Sequence, residues 1–262
     1  MSEQTPRTWP VGSPSWADIS VTDIGRSMDF YRAVLGWEFE GGSEEFGGYR
    51  NAVVDGDVVA GMAPPMEGVE ETPHYWTTYL ATEDSAATEE KITAAGGTVL
   101  MGSMQVGPFG TMGIYADPTG AVFGTWQPAS HFGFQRYGEP GAVAWNEAMV
   151  ADFERGKQFY ADVYGWTYED MSGEGMEYAI ATTPGDPAGM TCGIGVDKDN
   201  PQPYWSVVFA VDGTDDACER VRSAGGSVMV EPFDFEFGRI AVATGPDGEP
   251  FGLITSPEKP PA

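Results

Sequence analysis

Two carboxylates stand in the same local setting, each two residues after a tryptophan. Asp18 follows Trp16 in WADISV, and Glu147 follows Trp145 in WNEAMV. A carboxyl group shielded by aromatic rings loses solvation of its charged form. Its pKa rises, and it becomes a candidate general acid or base. Asp18 and Glu147 are therefore the expected catalytic pair. The competing expectation for each is a carboxylate hydrogen-bonded to neighbouring strands. The two settings lie 129 positions apart, and so do Asp23 and Asp152, Phe30-Tyr31 and Phe159-Tyr160, and Gly36-Trp37 and Gly165-Trp166. Such a repeat determines the architecture that must position the carboxylates.

Ile19 and Val21 alternate with Asp18 and Ser20, the two-residue period of a strand. Asp23 is placed to cap a following helix, whose apolar set Ile24, Met28, Tyr31, Val34 and Leu35 falls on one face, and Gly36 is placed to end it. Strand-like runs at 49–54 and 58–62 complete a β-α-β-β-β unit. A linker at 63–73 leads to a second unit: a strand from Tyr75, a helix over 85–95 closed by Gly96-Gly97, and strands near 98–101, 111–115 and 121–126. Trp76 matches Trp205 and Gly96-Gly97 matches Gly225-Gly226, again at 129. The final turn slips by one, with Pro118, Gly120 and Phe123 matching Pro246, Gly248 and Phe251 at 128.

The 262 residues carry 40 acidic and 13 basic side chains, a net charge of −27. Such a surface repels nucleic-acid backbones and anionic lipid, so neither is an expected partner. No apolar run reaches the roughly 20 residues of a membrane-spanning helix. The first residues lack the order of a secretory signal, so a cytoplasmic location is expected. Cys192 and Cys218 are too few for a disulfide framework and are expected in the core.

The paired modules, the FY…LGW helix, the GG after the second helix and the DPTG turn resemble the vicinal oxygen chelate superfamily, of the glyoxalase/bleomycin resistance/dioxygenase type. More narrowly, the chain is similar to tandem two-domain actinobacterial members. The resemblance implies an α+β fold of four β-α-β-β-β modules forming two domains, 13–127 and 141–257, joined by a linker at 128–140. In this fold two modules pair their sheets around a pocket, with the helices outside.

Metal-dependent members take His, Glu or Gln ligands from the first and last strands of each module. Here those positions fall on Trp16, Thr77, Trp145 and Ser206, and on Gly124 and Gly252. These residues do not make a metal site, and His74 and His131 are expected as solvated loop residues. The expectation is no metal and no cofactor.

Strand alternation then assigns a pocket lining: Trp16, Ser20, Thr77, Tyr79, Met112 and Trp126 for the first site, and Trp145, Met149 and Ser206 for the second. The expected partner is a small hydrophobic or aromatic molecule bound by a monomer or weak homodimer, in antibiotic biosynthesis or resistance. A metal-dependent lyase or a dioxygenase/hydroxylase is the main alternative. A non-enzymatic, antigen-like metabolite or signal binder is the second.

Overall fold

The computed structural model describes residues 8–65, 75–173, 175–186, 191–200 and 202–255. The expected linker at 63–73 lies mostly outside them, as does His74. The first half runs β1 (Pro14–Ser20), α1 (Ile24–Leu35), β2 (Glu38–Gly41), β3 (Arg50–Val54), β4 (Asp57–Ala63), β5 (Thr77–Ala81), α2 (Ser85–Ala94), β6 (Thr98–Val106), β7 (Gly110–Ala116) and β8 (Val122–Pro128). The second repeats it: β9 (Val143–Met149), α3 (Phe153–Tyr164), β10 (Thr167–Asp170), β11 (Tyr178–Thr182), β12 (Cys192–Gly195), β13 (Tyr204–Ala210), α4 (Thr214–Ser223), β14 (Ser227–Phe235), β15 (Gly238–Thr244) and β16 (Pro250–Thr255). Two eight-stranded mixed sheets result, in the orders β2-β3-β4-β1-β5-β8-β7-β6 and β10-β11-β12-β9-β13-β16-β15-β14. The fold is α+β, in four β-α-β-β-β modules. Among the described residues, no helix is long and apolar enough to cross a membrane.

Local chemistry sets the helix ends. Asp23 and Asp152 cap α1 and α3 by accepting from the N–H of Arg26 and Arg155 at 3.0 and 3.1 Å. Gly36 and Gly165 close them in the left-handed conformation that glycine adopts without a Cβ clash. The buried face of α1 is Ser27, Phe30, Tyr31, Val34 and Leu35. Ile24 and Met28 are only half-buried, so the apolar stripe sits slightly off the expected one.

The described residues form two compact units. One comprises those within Met1–Ala17, Thr77–Gln135 and Asn146–Ser206; the other comprises those within Asp18–Trp76, Arg136–Trp145 and Val207–Ala262. The first packs α2 beside α3 over a core containing Tyr115, Phe123, Phe159, Tyr160, Trp166, Cys192 and Trp205. The second packs α1 beside α4 with Phe30, Tyr31, Trp37, Trp76, Cys218, Phe209 and Phe251 buried. The two cores carry matching polar chains. In the first, Trp205 Nε1 donates to Tyr160 Oη at 3.0 Å, and Tyr160 donates to Asp117 Oδ2 at 3.1 Å. In the second, Trp76 Nε1 donates to Tyr31 Oη at 3.3 Å, and Tyr31 donates to Glu249 Oε1 at 2.9 Å.

The two terminal carboxylates come from different places in matching turns. Asp117 opens its turn, and its Oδ1 also accepts from the N–H groups of Thr119, Gly120 and Ala121. The equivalent of Asp117 in the other turn is Gly245. A Cβ there would lie 2.0 Å from Glu249 Oε1, so the glutamate fills the space that an aspartate side chain would need. Glu249 is fully buried, and burial pushes its pKa up despite the bonds from Tyr31 and the Asp247 N–H.

Candidate functional site: the helix-free sheet faces

Strand parity in the first unit separates core from open face. Ala148, Ala179, Ala181, Cys192, Ile194 and Trp205 face the helices. Glu147, Met149, Tyr178, Gly193, Gly195, Tyr204 and Ser206 therefore lie on the opposite, helix-free face. Glu147 sits opposite Gly193 in the β9–β12 register, and Tyr178 opposite Gly195 in β11–β12. Tyr178 crosses the intervening strand and donates to Glu147 Oε2 at 3.0 Å. The crossing is open because β12 has no side chain there. A Cβ on Gly193 would lie 2.1 Å from the Tyr178 hydroxyl, and one on Gly195 would lie 2.8 Å from its ring.

Nearby, Tyr204 donates to Asp197 Oδ2 at 2.9 Å. Burial raises the pKa of Glu147; the Tyr178 bond opposes this, and the Asp197 charge adds to it. Burial and then the Asp197 bond push the Tyr204 phenol up. A half-buried carboxyl with a raised pKa and a phenol held on it is suited to proton transfer with a bound molecule.

The second unit repeats half of this arrangement. Tyr49 donates to Asp18 Oδ2 at 3.1 Å, and Asp18 sits opposite Gly61 in the β1–β4 register. A Cβ on Gly61 would lie 1.7 Å from the Tyr49 hydroxyl. Ser20, two residues along, is half-buried on the same face, and Trp145 is half-buried at its own position.

The remaining predicted lining belongs to the first unit. Trp16 is 4% exposed. The His131 ring stands edge-on to it at 4.5 Å, and Phe134 packs at 5.6 Å. Trp126 stands edge-on to His131 at 5.6 Å and donates through Nε1 to the His131 carbonyl at 2.8 Å. His131 is thus not the solvated loop residue expected from sequence. It is wedged between two indoles, its Nδ1 accepts from the Gly133 N–H, and burial lowers its pKa. Thr77 is half-buried, and half-buried Met112 pairs with Trp126 in the β7–β8 register.

The positions at which relatives of this fold hold metal offer no donor set. Tyr79 lies opposite Gly124, and a Cβ on Gly124 would meet its ring at 2.2 Å. Val208 lies opposite Gly252 in the same way, at 2.8 Å. Each glycine is covered by the side chain of the neighbouring strand, and Trp16, Thr77, Trp145 and Ser206 supply two indoles and two hydroxyls. Among the described residues, no three His, Cys, Asp or Glu side chains converge. These residues do not fit a divalent metal.

Sequence reasoning missed Tyr49 and Tyr178, although they too stand 129 positions apart. It also missed Asp197, whose equivalent at that spacing is Gly68, outside the described residues.

Comparison with known proteins agrees with this architecture. The family model for the Glyoxalase/Bleomycin resistance protein/Dioxygenase superfamily matches twice, over residues 13–124 and 142–253. CFP32 of Mycobacterium tuberculosis, which carries a provisional glyoxylase name, is 34% identical over 252 residues, 93% of this chain and 94% of that one. DnrV of Streptomyces peucetius, an anthracycline biosynthesis protein, is 32% identical over 264 residues, 96% of each. Among solved structures, the Mn(II)-bound glyoxalase from Novosphingobium aromaticivorans superposes with a TM-score of 0.66 at 16% identity, covering 94% of this chain and 82% of its own. The 2,3-dioxygenase LapB from Pseudomonas sp. KL28 gives 0.64 at 12% identity, covering 97% and 96%. With two modules in each matched half and matches along nearly its whole length, the chain belongs to the glyoxalase/bleomycin resistance/dioxygenase superfamily.

Proposed function

We propose that this protein binds a small, flat, largely apolar aromatic molecule without a divalent metal, on the helix-free face that carries Glu147, Tyr178, Tyr204, Met149 and Ser206. The observation that carries the reading is the pair Gly124 and Gly252. Where a ligating carboxylate would stand, the neighbouring strand's Tyr79 or Val208 occupies the space. Aromatic rings and a thioether favour a planar apolar ligand, and a few placed hydroxyls orient it. The relationship to an anthracycline biosynthesis protein supports a polycyclic aromatic ligand and a setting in natural-product metabolism. The protein acts in the cytoplasm as a monomer or weak homodimer.

The test is elemental analysis and native mass spectrometry of freshly purified, unstripped protein, followed by tryptophan-fluorescence titration with a hydroxyanthraquinone. Substoichiometric Fe, Mn, Ni and Zn with saturable quenching supports the reading. Near-stoichiometric metal overturns it.

A second reading is cofactor-free proton transfer at Glu147, favoured by its raised pKa and by the phenol held against it. In that case Glu147→Gln retains affinity and loses turnover. Asp18, with the matching Tyr49 bond, is the weaker candidate for the same role.

A further inference from the structure

A cavity of about 290 Å³ opens where β1 begins and β5 and β8 end, away from Glu147 in the fold's strand order. The residues that line it include Trp9, Trp126, Phe132, Glu83, Gln127 and Thr82. Among the described residues that line it, Glu83 is ionisable and acidic, and none is lysine or arginine. Gln127 is fixed by accepting from the Ser85 N–H at 2.9 Å. Trp126 is fixed by its bond to the His131 carbonyl, and Trp9 by edge-on packing against Phe134 at 5.7 Å. Phe132, 37% exposed, stands at the rim.

We infer that this cavity is a binding site for a small organic monocation, an alkylammonium group held by the indoles of Trp9 and Trp126 and by the carboxylate of Glu83. Aromatic faces attract cations through the ring quadrupole, and a neighbouring carboxylate adds charge without filling the space. A carboxylate or phosphate ligand would meet Glu83 with no lysine or arginine among the described lining residues. The chain's net charge of −27 raises the local concentration of cations in the same direction. The volume lies at the lower end of small-molecule sites, roughly 300–1,000 Å³, which limits the occupant to a few carbons around the charge. The inference does not depend on the ligand proposed for the Glu147 face.

The experiment is calorimetric titration of the full-length protein with choline and, separately, with its uncharged isostere 3,3-dimethylbutan-1-ol. Choline is expected to bind about tenfold more tightly than the alcohol. Glu83→Gln, a change at an exposed position, is expected to reduce choline affinity about fivefold or more and to leave the alcohol unaffected. Trp9→Leu is expected to abolish choline binding while circular dichroism stays native. Equal affinity for the two probes, no binding of choline, or an unchanged choline affinity in Glu83→Gln each overturns the proposal. None of these outcomes bears on binding of a planar aromatic at the Glu147 face, which the anthraquinone titration reads separately.

Discussion

Tyr178 donates its hydroxyl proton to Glu147 across a strand whose two glycines leave the ring's path empty. The bond stabilises the charged carboxylate, against the burial that raises its pKa. Tyr178→Phe is therefore expected to raise the Glu147 pKa further. Gly193→Ala is expected to do the same, because its methyl group would push the hydroxyl off the carboxylate. Carbon-detected NMR titration of Glu147 checks both. A fall in either variant would mean that the phenol does not hold the charge.

The same shift makes stability depend on pH. The pKa of Glu147 is higher folded than unfolded, so between those values the folded state binds more protons. Its contribution is fully favourable below the unfolded value of about 4.5 and is lost as pH rises through the folded one. Glu147→Gln is expected to raise the melting temperature at pH 7.5. That gain should shrink towards zero by pH 4. Differential scanning calorimetry of both proteins across that range gives the difference curve, and a gain independent of pH would refute the account.

His131 predicts the opposite slope. Its pKa is lower folded than unfolded, so as pH falls below about 6.5 the unfolded chain takes up the proton first and stability declines. His131→Phe keeps a ring between Trp16 and Trp126 but removes the titration and the bond from Gly133. It should be less stable than the parent at pH 8 by about 0.5–1.5 kcal/mol, the usual value of one hydrogen bond. The deficit should narrow on acidification to pH 5. A deficit that stays constant from pH 8 to pH 5 in urea unfolding would show that His131 takes up its proton equally in the folded and unfolded chains, and would overturn the account.

The repeat made the modules legible, along with the caps at Asp23 and Asp152 and the strand parity that puts Asp18 and Glu147 on one kind of face. Local periodicity and turn chemistry sufficed there. Periodicity could not show what crosses a strand. The Tyr49 and Tyr178 bonds reach a carboxylate two strands away and depend on glycines of the strand between, a non-local relationship. Nor does any pattern announce His131, which lies in an aperiodic stretch and is buried only because two tryptophans from separate strands meet it. The grouping of α1 with α4 and of α2 with α3 is equally long-range and left no trace in local sequence.

In the second core, Glu249→Ala removes the acceptor for Tyr31 and is expected to cost about 1–3 kcal/mol, the penalty for a buried hydroxyl left unpaired. Adding Gly245→Asp to that variant places a carboxyl where Asp117 stands in the matching turn, and should recover most of the loss. Thermal unfolding of the single and double variants measures the rescue. Additive destabilisation would show that the two turns are not equivalent.

That relocation limits the routes between the two halves. Converting one turn into the other takes two substitutions, and both orders pass through an impaired protein. With neither carboxylate present, a tyrosine hydroxyl is stranded in the core. With both, two acids compete for a space that holds one, and one of them must keep its proton. The duplicated modules can drift freely on their surfaces, but at this buried hydroxyl they are separated by a stability barrier that single changes do not cross without loss.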